Sequence, residues 1–492
     1  MLASIHDRRR WFALTALCLG IIMIVLDASV VTVAIPSIGA DLGFSQTTLV
    51  WLVNAYILTF GGFQLLGGRL GDLYGARRLF LMGIAGFTLA SLACGLATSQ
   101  SSLIWGRAVQ GLAGSVVNAV GVALIMNTFT ETDERAKAIS ICAFVCCASS
   151  SIGVFLGGIV TTLLNWHWIF LINLPLGIIV FVSCLWSIGF RGPDGSEGED
   201  ADRPLSNEPL DVLGAVLVTT SLVLAVYAII NGNEAGWTSK QTVGILSAAT
   251  VSMTAFLIIE SRIRAPLVPT SLFRSRPLLV ANVAAVLWAA AISAWSFTCT
   301  LYLQRVLGQN AMQMALAFFS ANVVTAVLAL CVSARIVSRF GIKAPFVVGM
   351  LSGALGLTLF AAAPVKGDLL TNVLPGMTLL GIASGISSNP MLLAAMTGVQ
   401  AQDSGVAAGL IGTSSMMGGA LGLAILASAA EAWTHKLSIS GAKPLVALNG
   451  GYHLAFAIGA VLAATAAVLG IVLLPSKSAD KLLLRQRAGI AP

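Results

Sequence analysis

RLGDLYGAR at residues 69–77 follows the second long apolar run of the chain, and RIVSRFGIK at residues 335–343 follows the second apolar run of its last block. The basic, apolar, aromatic and glycine positions of the two loops coincide, so one loop stands twice in one chain. Two six-span halves related by duplication are the signature of a rocker-type transporter whose substrate site lies at the midplane between them. Only the first copy keeps an acid, Asp72 against Ser338.

Working outward from these loops, apolar runs fall at residues 11–35, 49–67, 79–97, 103–129, 138–164 and 168–190, then at 210–230 and 243–259. Six more follow at 278–303, 311–332, 345–363, 369–396, 405–430 and 452–474. A helix needs roughly 20 apolar residues to cross about 30 Å of hydrocarbon. The reading is an all-α integral membrane protein of fourteen spans, arranged as two six-helix bundles with two extra helices between them. The expected domains are an N-terminal bundle (1–190), a cytoplasmic linker (191–209), two additional helices and a loop (210–276), a C-terminal bundle (277–475) and a cytoplasmic tail (476–492). Composition agrees: 57% hydrophobic and 10% charged residues leave too little polar surface for a soluble chain.

Net charge is +7, yet the Lys and Arg residues sit in short runs at the ends of apolar segments, which argues against nucleic-acid binding. With both termini cytoplasmic, only Lys240, Arg305, Lys366, Lys436, Lys443 and the in-span Arg107 leave the inner face, as the positive-inside rule requires. The first run is too long for a signal-peptide core and has no cleavage site behind it, so it reads as the first span. All eight cysteines fall within expected spans, which excludes an extracellular disulfide framework, and no metal site is expected. The linker RGPDGSEGEDADRPLSNEP is acidic and rich in Gly and Pro, the composition of a disordered segment.

Several motifs carry a resemblance. GRLGDLYGARR at 68–78 resembles the cytoplasmic-loop motif of the major facilitator superfamily, and RAVQG at 107–111 resembles its second motif. LDASVVTVAIP at 26–36, WHWIFLINLPLG at 166–177 and GVAAG through GGALG at 405–422 are similar to signatures of its fourteen-span branch of drug:proton antiporters. The resemblance covers the chain from about Asp27 to the last span. It implies a transporter driven by the proton gradient, without a cofactor. The fifth-span pattern departs from the family at Val154, where proline is usual, while Gly153, Gly157 and Gly158 are kept. Leu73 and Ala76 replace frequent basic residues, and His167 replaces an arginine.

The residues have readings of their own. Asp27 lies deep within the first run, where a carboxylate costs about 2.5–3.5 kcal/mol on insertion scales, which makes it a functional candidate. Burial opposes its charge and a nearby cation, whether ligand or Arg107, restores it; that competition lets a proton and a cation exchange at one carboxylate. A permanent buried ion pair bracing the first helix is the structural alternative, and Arg107 has the same two readings. Gln110 and Gly111 complete the fourth-span motif. Gly68, Asp72, Gly75, Arg77 and Arg78 read as a cytoplasmic latch, Asp72 meeting the positive end of a facing helix that starts near Ser404. Gly153 and Gly157 form a small-xxx-small face suited to close contact between the halves. Trp51, Tyr56, Trp288, Trp295 and Phe297 are candidates for an apolar pocket that holds a lipophilic cation through cation–π contacts.

The expected function is proton-coupled efflux of lipophilic, cationic drugs or toxic compounds by alternating access, across the cytoplasmic (inner) membrane, by a functional monomer. Its partners are small substrates, protons and membrane lipid. No GxxxxGK[ST] nucleotide loop occurs. Export of an endogenous metabolite or antibiotic is the alternative within transport. An enzyme needs clustered catalytic groups, whereas His6, His167, His435 and His453 are dispersed; a sensor needs a signalling domain, and none fits.

Overall fold

The computed structural model describes residues 2–129, 132–187, 211–263, 276–396 and 404–474. Every regular element among them is helical. In order they are α1 (Leu2–Asp41), α2 (Gln46–Tyr74), α3 (Ala76–Gly95), α4 (Gln100–Thr128), α5 (Thr132–Leu163), α6 (Trp168–Leu171), α7 (Asn173–Ser187), α8 (Val212–Ala235) and α9 (Lys240–Glu260). There follow α10 (Arg276–Leu301), α11 (Ala311–Val327), α12 (Ser333–Phe340), α13 (Lys343–Ala361), α14 (Leu374–Met396), α15 (Ser404–Ile439) and α16 (Pro444–Leu473). π-Helical turns at Tyr302–Val306, Leu328–Val332 and Leu369–Val373 extend α10, join α11 to α12 and lead into α14. Among the described residues, fourteen stretches are long and apolar enough to cross a membrane, and the all-helical, fourteen-span class follows. The linker 191–209 and the tail 476–492 lie outside the described residues.

Helices α2, α4, α8 and α9 start where a side chain takes an amide that has no partner within the helix. Ser45 Oγ accepts from the Thr48 amide at 3.1 Å, Ser239 Oγ from Thr242 at 3.2 Å and Asp211 Oδ1 from Gly214 at 2.8 Å. Ser99 and Ser102 cap α4 reciprocally. The repeated loop has a repeated geometry. Gly75 (φ 88°) links α2 to α3 and Gly341 (φ 78°) links α12 to α13, a left-handed φ that side chains resist.

The chain forms two compact units: Met1–Leu267 with Asn310–Ala315, and Val268–Gln309 with Leu316–Pro492. In the first, α1 packs on α4, α5 and α7, and α4 also receives α2 and α3. The extra helices attach here, with Thr219 of α8 filling the notch at Gly62 of α2 and Ser221 Oγ of α8 donating to the Ala249 carbonyl of α9 at 2.8 Å. In the second, α10 packs on α15 and α16, and α13 on α14 and α16. A Cβ at Gly353 would come within 2.6 Å of the Trp288 ring, and one at Gly418 within 2.7 Å of the Val286 Cα. Lipid offers helices no hydrophobic drive to associate, so close approach at small residues supplies it.

Several boundaries differ from the hydropathy reading. The sixth span, expected unbroken from 168, splits at Ile172 into α6 and α7. α15 continues to Ile439 rather than 430, because Glu431, Thr434, His435 and Lys436 end the apolar run without ending the helix. Glu431 therefore lies within a helix and not at its end.

Gly111 tests this packing beside the fourth-span motif, since a Cβ there would strike the Tyr56 carbonyl oxygen and Thr59 Oγ1 of α2. Gly111→Val is expected to push α2 from α4 and destabilise the protein by about 1–3 kcal/mol. The readout is thermal unfolding in detergent, with Gly68→Ala as the tolerated control, its nearest neighbour being Ala119 Cβ at 3.8 Å.

Candidate functional site

Asp27 stands near the middle of α1 with no solvent exposure, and Arg107 of α4 is 2% exposed. The two meet: Arg107 Nη1 donates to Asp27 Oδ2 at 2.6 Å. One turn further along α4, Gln110 accepts from the same Arg107 nitrogen at 2.7 Å and donates through Nε2 to Asp27 Oδ1 at 2.8 Å. Asn173, the first residue of α7, donates to the same Oδ1 at 2.7 Å. Ser91 Oγ of α3 accepts from Gln110 at 2.8 Å and from Asn173 at 3.3 Å, and donates to the Phe87 carbonyl at 2.8 Å. Arg107 Nε donates to the Leu52 carbonyl of α2 at 3.2 Å. The guanidinium carbon lies 4.3 Å from the Tyr56 ring centroid and 5.9 Å from that of Phe170.

Local sequence explains this convergence. Arg107 and Gln110 are three apart on α4 and share a face. Gly111, the next residue, lets α2 come close enough for its Leu52 carbonyl and Tyr56 ring to reach Arg107, and Thr59 Oγ1 seals the contact by donating to the Ala108 carbonyl at 2.8 Å. The break at Ile172 starts α7 at Asn173 and brings its amide to the acid. Gly153 of α5 sits on α1 beside the acid, where a Cβ would lie 3.0 Å from the Leu26 carbonyl oxygen. The carboxylate thus receives three donors across its two oxygens. A carboxylate offers about four acceptor sites, so these three donors leave one on Oδ2 where a proton can add.

The other sequence candidates distribute as follows. Gly153 and Gly157, expected to pack between the halves, lie instead against Leu26, Ser29, Val30 and Val33 of α1 in their own unit; without side chains they let α5 touch the backbone of α1. Gly158 faces Ala311, Met312 and Ala315 at the start of α11. Arg77 Nη2 donates to the Leu185 carbonyl at 3.5 Å, near the end of α7, and Arg78 is exposed. Asp72 belongs to the last turn of α2, but its side chain lies outside the described residues, as do those of 404–408 at the start of α15.

Of the aromatic candidates, Trp51 pairs with Tyr227 of α8 at 6.3 Å, and Tyr56 covers Arg107. Trp288, Trp295 and Phe297 belong to the second unit, where Trp295 meets Phe318 at 5.2 Å and Phe360 at 5.9 Å. Surface clefts of about 380 and 360 Å³ open along α9 and where α1 and α5 end, and neither is lined by Asp27 or Arg107. Asn173, Ser91 and Phe170 were not singled out by sequence reasoning as site residues. Asn173 had a signal, its place in NLPLG, whereas Ser91 is one hydroxyl in an apolar run.

Removing one partner of a buried pair strands the other charge, at about 3–5 kcal/mol. Asp27→Ala is expected to lower thermal stability by that order, and adding Arg107→Leu is expected to recover most of the loss. A double variant as unstable as the single one would deny that the two charges depend on each other.

A family model described as Major Facilitator Superfamily matches residues 17–423. The cephamycin export protein CmcT of Amycolatopsis lactamdurans is 36% identical, covering 84% of this chain and 84% of its own length. The puromycin resistance protein pur8 of Streptomyces alboniger is 32% identical, covering 96% and 93%. The multidrug resistance protein Stp of Mycobacterium tuberculosis (strain CDC 1551 / Oshkosh) is 32% identical, covering 87% and 77%. With its fourteen candidate spans and this match over most of its length, the chain belongs to the major facilitator superfamily and is a multi-pass membrane transporter of small molecules, not an enzyme.

Proposed function

We propose that this transporter is a proton-coupled exporter of lipophilic, cationic compounds, working by alternating access in a cytoplasmic membrane with both termini inside. The observation that carries the reading is a fully buried carboxylate, mid-span on α1, held by one guanidinium and two amides. In hydrocarbon an ionised acid is stable only while its partners stay. A proton arriving at Asp27 removes the reason for Arg107 to stay, and a substrate cation entering near the site competes with Arg107 for the same oxygen. Either event changes the packing of α1 against α4, which gives one carboxylate leverage over both binding and conformation. Export as the direction is supported by the relatives, whose names speak of cephamycin export, of puromycin resistance and of multidrug resistance.

The gradient is the energy source in this reading, without a cofactor, and the unit of function is the monomer. Asp72 with Arg77 and Arg78 serves as a cytoplasmic latch that opens with each cycle. A second reading has a specific observation behind it. Asp27 is already neutralised by Arg107, so the resting site does not demand a cation, and relatives are named for the export of cephamycin and of tetracenomycin C. An endogenous metabolite or antibiotic without net positive charge fits that balance.

Uptake of a lipophilic cationic dye into energised inverted vesicles is expected to collapse on adding an uncoupler; uptake indifferent to the gradient would refute proton coupling. Asp27→Asn, near-isosteric but without an exchangeable acid proton, is expected to abolish gradient-driven uptake while the protein stays folded in the membrane. With Arg107 already matched to Asp27, a monocation adds one uncompensated charge to the site and a rigid dication adds two, each at a cost of several kcal/mol. Monovalent quaternary compounds are therefore expected to be exported better than matched bis-quaternary ones in direct efflux assays. Equal handling would point to a second acid, with Glu431 first in line.

A further inference from the structure

We infer that Tyr56, supported by Phe170, is the seat that holds Arg107 while Asp27 carries a proton. The inference rests on the proton-coupling reading above and adds to it a positioning residue. When Asp27 takes up a proton, the acid becomes neutral but the guanidinium does not, because arginine keeps its charge in proteins. Something else must hold that charge inside the bilayer. The polar partners that remain are uncharged: Gln110 Oε1 at 2.7 Å and the Leu52 carbonyl at 3.2 Å. The ionisable groups facing the pair are the Tyr56 phenol from α2 and the Cys94 thiol from α3, whose Sγ lies 3.9 Å from Gln110 Oε1. Phe170 and Asn173 from α6 and α7, and Gly153 and Gly157 from α5, carry no charge. No second carboxylate is placed there among the described residues.

The aromatic faces fill this gap. The Tyr56 ring lies 4.3 Å from the guanidinium carbon and is 4% exposed, and it is steadied by stacking on Phe60 at 5.6 Å. Its hydroxyl makes no hydrogen bond among the described residues, so the face of the ring, and not its polar end, engages the arginine. A ring face attracts a cation by its quadrupole, most strongly when both are out of water. With Asp27 ionised the guanidinium is drawn to the carboxylate; with Asp27 protonated that pull is gone and the guanidinium settles closer on the ring, so the ring attraction is larger in that state. Losing the ring therefore penalises the protonated state more, and Asp27 holds its proton only at lower pH.

The test is a pH titration of the purified full-length protein, followed by the infrared carbonyl band of a protonated acid that disappears in Asp27→Asn. The midpoint for Tyr56→Leu is expected about one pH unit below wild type, while Tyr56→Phe, which keeps the ring, stays with wild type. A Tyr56→Leu midpoint equal to wild type overturns the inference, and so does a Tyr56→Phe shift as large as that of Tyr56→Leu, since the hydroxyl would then be the acting group. If Tyr56→Leu does not fold, Phe170→Leu serves in its place, with a smaller shift in the same direction; no shift there overturns the inference. A wild-type protein with no band assignable to Asp27 at any pH removes proton exchange at Asp27 itself, and the seat for Arg107 falls with it. An unmoved midpoint beside a normal wild-type band leaves proton coupling standing and rejects only the role of Tyr56.

Discussion

A charge inside a bilayer has no water to return to, and the contact between Asp27 and Arg107 is organised around that fact. Five helices of the first unit each bring a group to it: the acid from α1, the Leu52 carbonyl and Tyr56 ring from α2, Ser91 from α3, Arg107 and Gln110 from α4, Asn173 from α7. Isolated, either ion costs several kcal/mol even after relaxation. Paired and hydrogen-bonded, the two fix the register of the helices that supply their partners. The glycines serve the same end, since Gly111 and Gly153 let α2 and α5 approach α4 and α1 where the charges lie.

This economy makes the site a lever. In a soluble protein a weakened ion pair is rescued by solvent, whereas here each change of charge must be answered by a movement of neighbouring groups. The α6–α7 break matters for that reason, because Asn173 reaches Asp27 from the end of a helix and not from its middle. Among the described residues, the second unit has no acid as fully buried as Asp27. Its α10 face carries Trp288 and Trp295 against Gly353, Phe318 and Phe360, a packing of rings and glycines that holds no charge. The repeated loops with Gly75 and Gly341 in the same left-handed turn show how closely the backbone of the duplication is kept where the chemistry has diverged.

Much of this was legible in the chain before any contact was known. Hydropathy decides the number of spans because the thickness of hydrocarbon sets the length of each, and positions such as Arg69, Gly75, Arg335 and Gly341 declare the duplication. Asp27 announces itself by its cost. Hydropathy is blind, however, to a helix that outlasts its apolar run, so the reach of α15 past Glu431 and the split at Ile172 were not foreseen. Pairing is equally hidden. Only Arg107 and Gln110, three apart on α4, are joined by spacing; nothing in the positions of residues 27, 91, 107 and 173 says that they meet, since each lies on a different helix and helices of similar hydropathy can pack in many orders.

What the sequence by itself determined is therefore the class, the span count, the duplication and the identity of the two ions, all of them consequences of local composition measured against a bilayer. What only the tertiary structure decided is the partnership: that Asp27 is closed by Arg107, Gln110 and Asn173, that Gly153 and Gly157 serve α1 within one unit, and that Tyr56 lies over a guanidinium. The physical reason is that a buried charge selects its neighbours by distance and geometry in three dimensions, and a linear order of residues does not carry that distance.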